Sequence, residues 1–270
     1  MKFRLLMLLV ALCLLCAFGA SAQEITVEAQ GAQVQIAPVE IEGEMWYFLP
    51  AFADREALFP DAQPTEEENV WQSDAGMIMQ SDRLRALFLQ SSDPVNEGRD
   101  YIENAPRHET RTTGSMLLVD KNGVVNCGDE LRQIRGRGNS SWGYEKKPYQ
   151  IKLENKADLL QTGDRSQRAR TWVLLSETLD GSLLRNQIAM DLALEMGLSS
   201  TPQSEHVDLY YDGEYRGIYL LCEKVEMGEG RIDELDYDEL IEAWNDHIGQ
   251  KDLEKLPVGQ GVNRFGSPFT

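Results

Sequence analysis

A twenty-residue stretch, IRGRGNSSWGYEKKPYQIKL at residues 134–153, concentrates three glycines, two arginines and three lysines around one proline. Glycine lets backbone N–H groups approach a phosphate closely, while arginine and lysine neutralise its charge. The whole chain has a formal net charge of −19, so this positive charge is a local feature. The stretch is therefore the first candidate for anion chemistry.

Known phosphate and nucleophile motifs do not describe this stretch. It holds no GxxxxGK[ST] sequence, and Ser141 stands where GxGxxG requires its last glycine. The closing glycine of a nucleophile elbow is missing, and no catalytic triad follows. The remaining pattern is a glycine loop over phosphates followed by a strand lysine, the order used by protein kinases. On spacing alone, a glycine-rich hairpin with solvated lysines is the alternative.

The elements around this stretch are predicted to be mainly strands. The segments RALFLQSSD, GSMLLVDKNGVV, PYQIKL and ARTWVLLSE have strand-like patterns, although the last also fits the run into a helix. Asn122-Gly123 and Asp212-Gly213 predict two tight hairpin turns. In PYQIKL, alternation places Gln150 and Lys152 on the face opposite the apolar residues.

One clear helix is predicted over residues 183–196, with Ser182 as its N-cap and Gly197 as its stop. Its apolar arc consists of Ile188, Ala189, Leu192 and Met196. Arg185 projects into this arc, and a buried arginine is costly unless it is paired. Its head must therefore reach solvent or meet an anion.

The N-terminus has the pattern of a secretory signal. Residues 1–22 combine two basic residues, an apolar run and a small-residue cleavage site. We expect a secreted or cell-surface protein, because the run is short for a permanent membrane anchor. Cys13 and Cys16 would leave with this segment. Cys127 and Cys222 would remain, either bridged or as two buried thiols.

Composition limits the partners. The acidic balance argues against binding nucleic acid or anionic lipid, and no second apolar run is long enough to span a membrane. His108, His206 and His247 do not cluster in metal-ligand spacing and are predicted to be surface or satisfied strand residues. We expect a small β-rich region over residues 23–82 and a larger domain over residues 83–270.

Three blocks in sequence order carry a family resemblance. They are IRGRGNSSWGYEKKPYQIKL, WVLLSETLDGSLLRNQIAMDLALEMG and VDLYYDGEYRGIYLLCEKVEMGEGRID. From about Arg83 to Asp233 the chain resembles the spore coat protein H (CotH) family of atypical protein kinases. The resemblance implies an α+β fold like the N-terminal lobe of a kinase, an antiparallel sheet plus a helix. It also implies phosphate transfer from ATP, with Mg²⁺ or another divalent cation, to serine or threonine of secreted or spore-coat proteins.

The resemblance also implies roles for individual residues. Lys152 would pair with the phosphates, in preference to Lys146 and Lys147 in the preceding loop, and Glu195 or Asp191 would hold that lysine. Residues 223–225 would form the hinge that meets the adenine. Trp142 and Trp172 are expected to pack in the core rather than flank the nucleotide. The residues implied for nucleotide binding are Arg135, Gly136, Arg137, Gly138, Asn139, Ser140, Lys152, Glu195, Glu223 and Val225.

After the last hairpin the sequence departs from the family. Asp236, Asp238 and Glu239 fall in an acidic helical run typical of a solvated face, and no counterpart of the catalytic or metal-binding aspartates is evident. We therefore expect a C-terminally incomplete kinase that is nearly inert and self-associates, with its catalytic residues and metal ligands unidentified. A nucleotide-binding pseudokinase and a structural coat or adhesion protein are the alternatives.

Overall fold

The computed structural model describes residues 23–164, 167–198 and 201–226. The signal expected at residues 1–22 lies outside the described residues, as do His247 and the acidic run after Glu226. The described strands are β1 (Ile25–Ala29), β2 (Ala32–Ile36), β3 (Val39–Ile41), β4 (Glu44–Leu49), β5 (Gln63–Pro64), β6 (Val70–Ser73), β7 (Gly76–Gln80), β8 (Arg85–Ser91), β9 (Arg111–Val119), β10 (Val125–Gly136), β11 (Tyr149–Ala157), β12 (Ala169–Leu175), β13 (Ser204–Tyr211) and β14 (Glu214–Glu223). The helices are α1 (Arg55–Leu58), α2 (Arg99–Glu103) and α3 (Arg185–Glu195), with a 3-10 turn at Ser140–Gly143.

Seven strands close into a barrel in the order β10-β11-β12-β14-β13-β8-β9. Its neighbours are antiparallel except for β13 and β8, which run parallel from the pair Val207 and Arg85 to the pair Tyr211 and Leu89. The expected α+β kinase-like lobe is therefore wrong, because the described chain is mostly strand and its main sheet is closed. The physical reason is that β8 pairs with both β9 and β13 and so joins the two edges.

Side-chain alternation fills the barrel. Tyr149, Ile151 and Leu153 point inward and are fully buried, as their spacing predicted. Trp172 is also fully buried there, and its indole Nε1 donates to the Ala169 carbonyl at 3.2 Å. This agrees with the core role expected for that tryptophan.

The N-terminal strands pack against the outside of the barrel. Strands β1 and β2 form a hairpin, and a five-stranded sheet has the order β3-β4-β7-β6-β5. A second core joins them to the barrel, where the rings of Phe88 and Tyr210 stack with centroids 4.7 Å apart. The outer surface of β8 and β13 is covered in this way.

Both predicted hairpin turns are confirmed. In the turn between β9 and β10, the Asp120 carboxylate accepts the backbone N–H groups of Asn122 and Val124. In the turn between β13 and β14, Asp212 and Gly213 have φ angles of 50° and 83°. Two consecutive positive φ angles match the twist of paired strands, which explains the Asp-Gly pair.

Helix α3 begins two residues later than predicted and has a different cap. The Asp180 carboxylate, rather than Ser182, accepts the Arg185 backbone N–H at 2.8 Å. Gly197, with φ at 70°, follows its end as predicted. The Arg185 side chain reaches solvent and lies 3.5 Å from Asp180. The apolar arc is exposed, with Ile188 59% accessible.

Within the described ranges, no helix is both long and apolar enough to cross a bilayer.

Candidate functional site

Strand register places several of the implied residues on one outer surface of the barrel. Arg135 pairs with Gln150, Gln150 with Val173, and Val173 with Cys222. Directly paired residues share a face of a sheet, so this row of side chains leaves the barrel on the same side. Lys152 lies on that side in the next row.

We call this surface the basic face and define it by Arg135, Arg137, Gln150 and Lys152. Arg135 donates from Nη2 to the Gln150 side-chain oxygen at 3.2 Å, while its buried Nε has no hydrogen-bond acceptor. Arg137 is half-buried, and desolvation lowers the pKa of its guanidinium. The nearby Cys222 opposes that pKa shift, and the positive charge of Arg135 adds to it. The two arginines are thus close enough to repel each other.

The isolation of these two guanidiniums is unusual in this acidic chain. The other arginines that are buried or half-buried in the described ranges, Arg55, Arg85, Arg99 and Arg216, each form an ion pair with a carboxylate. Within those ranges no carboxylate lies within ion-pair distance of Arg135 or Arg137. Burial removes water from a charged group, and this loss of hydration is unfavourable unless a group of opposite charge or a hydrogen-bond acceptor replaces the water. The basic face therefore has the electrostatics of a site for an external anion.

The glycine loop connects β10 to β11 and is held by packing. A Cβ atom on Gly136 would lie 2.2 Å from a ring carbon of Trp142, which is 8% exposed. Gly138 has φ at 79° and would place a Cβ 2.1 Å from the Ser141 hydroxyl. Both glycines are needed by the fold itself, in addition to any approach of backbone to phosphate. Asn139 and Ser140 are exposed at the tip of the loop.

The preceding lysines have structural partners. Lys146 donates to the Ile218 carbonyl at 2.5 Å and lies over the Tyr219 ring, and desolvation lowers its pKa. Lys147 donates to the Trp142 carbonyl at 2.8 Å. Of these three lysines, Lys152 is therefore the one that we prefer for contact with a ligand.

The other implied residues are dispersed. Glu195 is exposed at the end of α3 and makes no ion pair with Lys152 among the described residues. Asp191 accepts instead from Gln187 at 2.7 Å. Glu223 ends β14 with its carboxylate accepting the Gln203 N–H at 2.9 Å, and Val225 is 64% exposed.

Sequence reasoning missed a buried acid beyond the end of β12. Glu177 has a fully buried side chain, with Oε2 3.0 Å from His206 Nε2 and Oε1 without a hydrogen-bond partner. That histidine nitrogen also lies 2.7 Å from the Leu183 carbonyl, so it must carry the proton and donate. Glu177 has φ at 50°, a strained conformation that often marks functional sites. No spacing rule links residues 177 and 206, so no signal in the sequence points to this pair.

The two cysteines considered for a disulfide are free thiols, Cys127 on β10 and Cys222 on β14. Among the described residues, no three His, Cys, Asp or Glu side chains are placed to hold one metal ion.

Comparison with known proteins gives one family. A family model described as CotH kinase protein matches residues 134–253. The match begins at Ile134 and includes the glycine loop, the basic face and α3, whereas β1 to β9 precede it. A comparison with curated proteins gives no match.

Proposed function

Because residues 134–253 belong to the CotH family, we propose that this protein binds ATP on its basic face. We further propose that it transfers phosphate to serine or threonine side chains of secreted or spore-coat proteins. The family is linked to the spore coat, which supports this choice of substrate class. Nucleotide binding without transfer is the alternative activity for the same face.

The observation that carries the proposal is the pair of arginines without carboxylate partners among the described residues. A triphosphate has the charge to pair with Arg135 and Arg137, and guanidinium groups match phosphate oxygens with two parallel N–H donors. The Nε of Arg135 lacks an acceptor but is buried, so a phosphate would reach it through a shift of the Arg135 side chain. Lys152 adds a third positive charge on the same side of the barrel.

The row from Arg135 to Cys222 also leads from the arginines toward the end of β14. It crosses three strand spacings, or about 14 Å at 4.8 Å each. Val173 and Cys222 are themselves buried in this row, so with phosphates at the arginines the base would lie beyond them, at the exposed Val225 that follows β14. This arrangement supports the hinge role proposed for Glu223 and Val225.

Mg²⁺ or another divalent cation would accompany the ATP phosphates, and we assign it no ligand among the described residues. The chemistry that it supplies when bound is neutralisation of charge on the transferred phosphoryl group.

A thermal-shift titration with ATP and MgCl₂ tests the proposal. A ligand that binds only the folded state stabilises it by about 2.7 kcal/mol at 100 times its Kd. We expect a saturable rise in Tm that Arg137→Ala and Lys152→Ala each weaken. Lys121→Ala is the matched control, since it removes an exposed positive charge in the β9–β10 turn.

No rise in Tm for a folded sample would refute the proposed site. A rise that the control variant weakens as much as Arg137→Ala would also refute it. If the site binds ATP, radiolabelled transfer from the γ-phosphate to a coat-protein fraction separates phosphate transfer from binding alone.

A further inference from the structure

A cleft lies where the five-stranded sheet meets the barrel. It has a volume of about 270 Å³, and its lining includes Phe48, Met79, Asp208, Tyr215 and Ile218. Most of this lining is apolar or aromatic, and none of the lining residues is basic. Asp208, one of the lining residues, is on β13. This strand is separated from β10, which carries the basic face, by two strands on one side of the barrel and three on the other.

The carboxylate of Asp208 is buried, and hydrogen bonds satisfy only one of its two oxygens. The residue is 2% exposed, and its Oδ1 accepts the Tyr215 hydroxyl at 2.9 Å. Its Oδ2 is also buried and has no hydrogen-bond partner, although the nearby Ser81 hydroxyl stabilises the charged carboxylate. A buried carboxylate oxygen without a donor is costly. One incompletely compensated acceptor oxygen therefore lies just beneath the wall of the cleft, on a side chain that lines it.

Three aromatic rings line the same cleft as Asp208. The Phe48 and Tyr215 rings stack with centroids 4.6 Å apart, and the Tyr210 ring lies 5.2 Å from that of Tyr215. Aromatic faces attract cations through their quadrupole. Glu68 and Asp82 are exposed lining residues that add negative potential at the mouth.

We propose that this cleft binds an alkylammonium group, with the nitrogen at Asp208 Oδ2 and the alkyl chain along the apolar wall. An ammonium suits the site better than a guanidinium, because a guanidinium fork needs two acceptor oxygens and Oδ1 is already engaged by Tyr215. Lysine side chains of a partner protein and free aliphatic amines share this chemistry. The proposal does not depend on nucleotide binding.

Calorimetric titration of the full chain with n-butylammonium chloride tests it, with n-butanol as the uncharged ligand of similar shape. We expect saturable binding of the ammonium and at least about tenfold weaker binding of the alcohol, since only the former pairs with the carboxylate. Asp208→Asn should weaken ammonium binding by a similar factor. Asp82→Asn is the control at the mouth, and we expect a change of about twofold or less.

Equal binding of butanol, or wild-type affinity in Asp208→Asn, would overturn the proposal. Folding of this variant does not limit the test, because the amide keeps a side-chain oxygen for the Tyr215 hydroxyl and a buried charge is removed. Tyr215→Phe offers a second check, since it keeps the ring and leaves both carboxylate oxygens for the ligand. We expect it to retain ammonium binding, and loss of binding would count against the geometry.

Two further ligands identify the source of the ammonium group. Tighter binding of Nα-acetyl-lysine amide than of spermidine would indicate a lysine side chain of a partner protein. The reverse order would indicate a free amine. Both results support the site, whereas failure of both ligands and of n-butylammonium would exclude it.

Discussion

Replacing Gly136 with alanine should destabilise the protein through one defined collision. The added Cβ would lie 2.2, 2.4 and 2.8 Å from three ring carbons of Trp142. Gly136 is not among the residues with positive φ, so the backbone itself accepts alanine. The loss in free energy of unfolding therefore comes from displacing the Trp142 ring, and this residue is only 8% exposed.

The geometry sets the size of this effect. Overpacking a well-packed site costs about 1–3 kcal/mol, and loss of a whole tryptophan side chain costs about 3–5 kcal/mol. Three ring carbons closer than 3 Å place Gly136→Ala near the top of the first range, at about 3 kcal/mol. Because Arg137 follows directly, displacement of the ring should also weaken ATP binding at the basic face.

Urea unfolding, followed by circular dichroism, measures the change. Gly143→Ala is the matched control, since a Cβ there meets no atom within 4 Å. In a Trp142→Ala background, Gly136→Ala should cost less than about 0.5 kcal/mol, because the colliding ring is gone. Equal unfolding midpoints for the two glycine variants, or an unchanged cost in the Trp142→Ala background, would refute the reasoning.

Two further predictions concern pH. Backbone and side-chain hydrogen bonds from Arg185 and Ser182 lower the pKa of Asp180 from 3.8 to about 2, so its stabilising effect is present above pH 3.8 and is lost as pH falls toward 2. Urea midpoints of wild type and Asp180→Ala should therefore differ at pH 6 and converge near pH 2, and a constant difference would contradict the capping role. Burial raises the pKa of Asp208 above 3.8 despite the opposing effects of the nearby Ser81 and Tyr215 hydroxyls, so ionisation costs stability as pH rises above 3.8. Thermal unfolding of Asp208→Asn should show higher stability relative to wild type at pH 7 than at pH 4, and the opposite trend would contradict a desolvated carboxylate.

Local signals predicted the strands and turns well because each depends on near neighbours. Gly123 and the Asp212-Gly213 pair shape their hairpins through positive φ, and inward alternation over residues 149–153 follows from the pleat. The sequence predicts Ser182 as the cap of α3, because no local pattern specifies the path of the loop before the helix. That loop brings Asp180 to the first helical N–H instead.

Closure of the barrel could not be read from the same signals. The pairing of Arg85 with Val207 joins residues 122 positions apart, and no local pattern specifies it. The family match begins at residue 134, whereas β8 and β9, which close the ring, precede it. An expectation based on the family resemblance therefore extended to strands outside the matched region.

The closed barrel explains why the candidate sites lie outside it. Its interior is filled by Trp172 and by three tyrosines, Tyr149, Tyr211 and Tyr219, all fully buried. Small barrels of this size are packed with side chains rather than hollow. Ligands must therefore bind on the outer surface, where strand register fixes which side chains meet. The N-terminal sheet covers β8 and β13 and forms the Asp208 cleft at that junction, while the described surface from β10 to β14 retains its unpaired arginines.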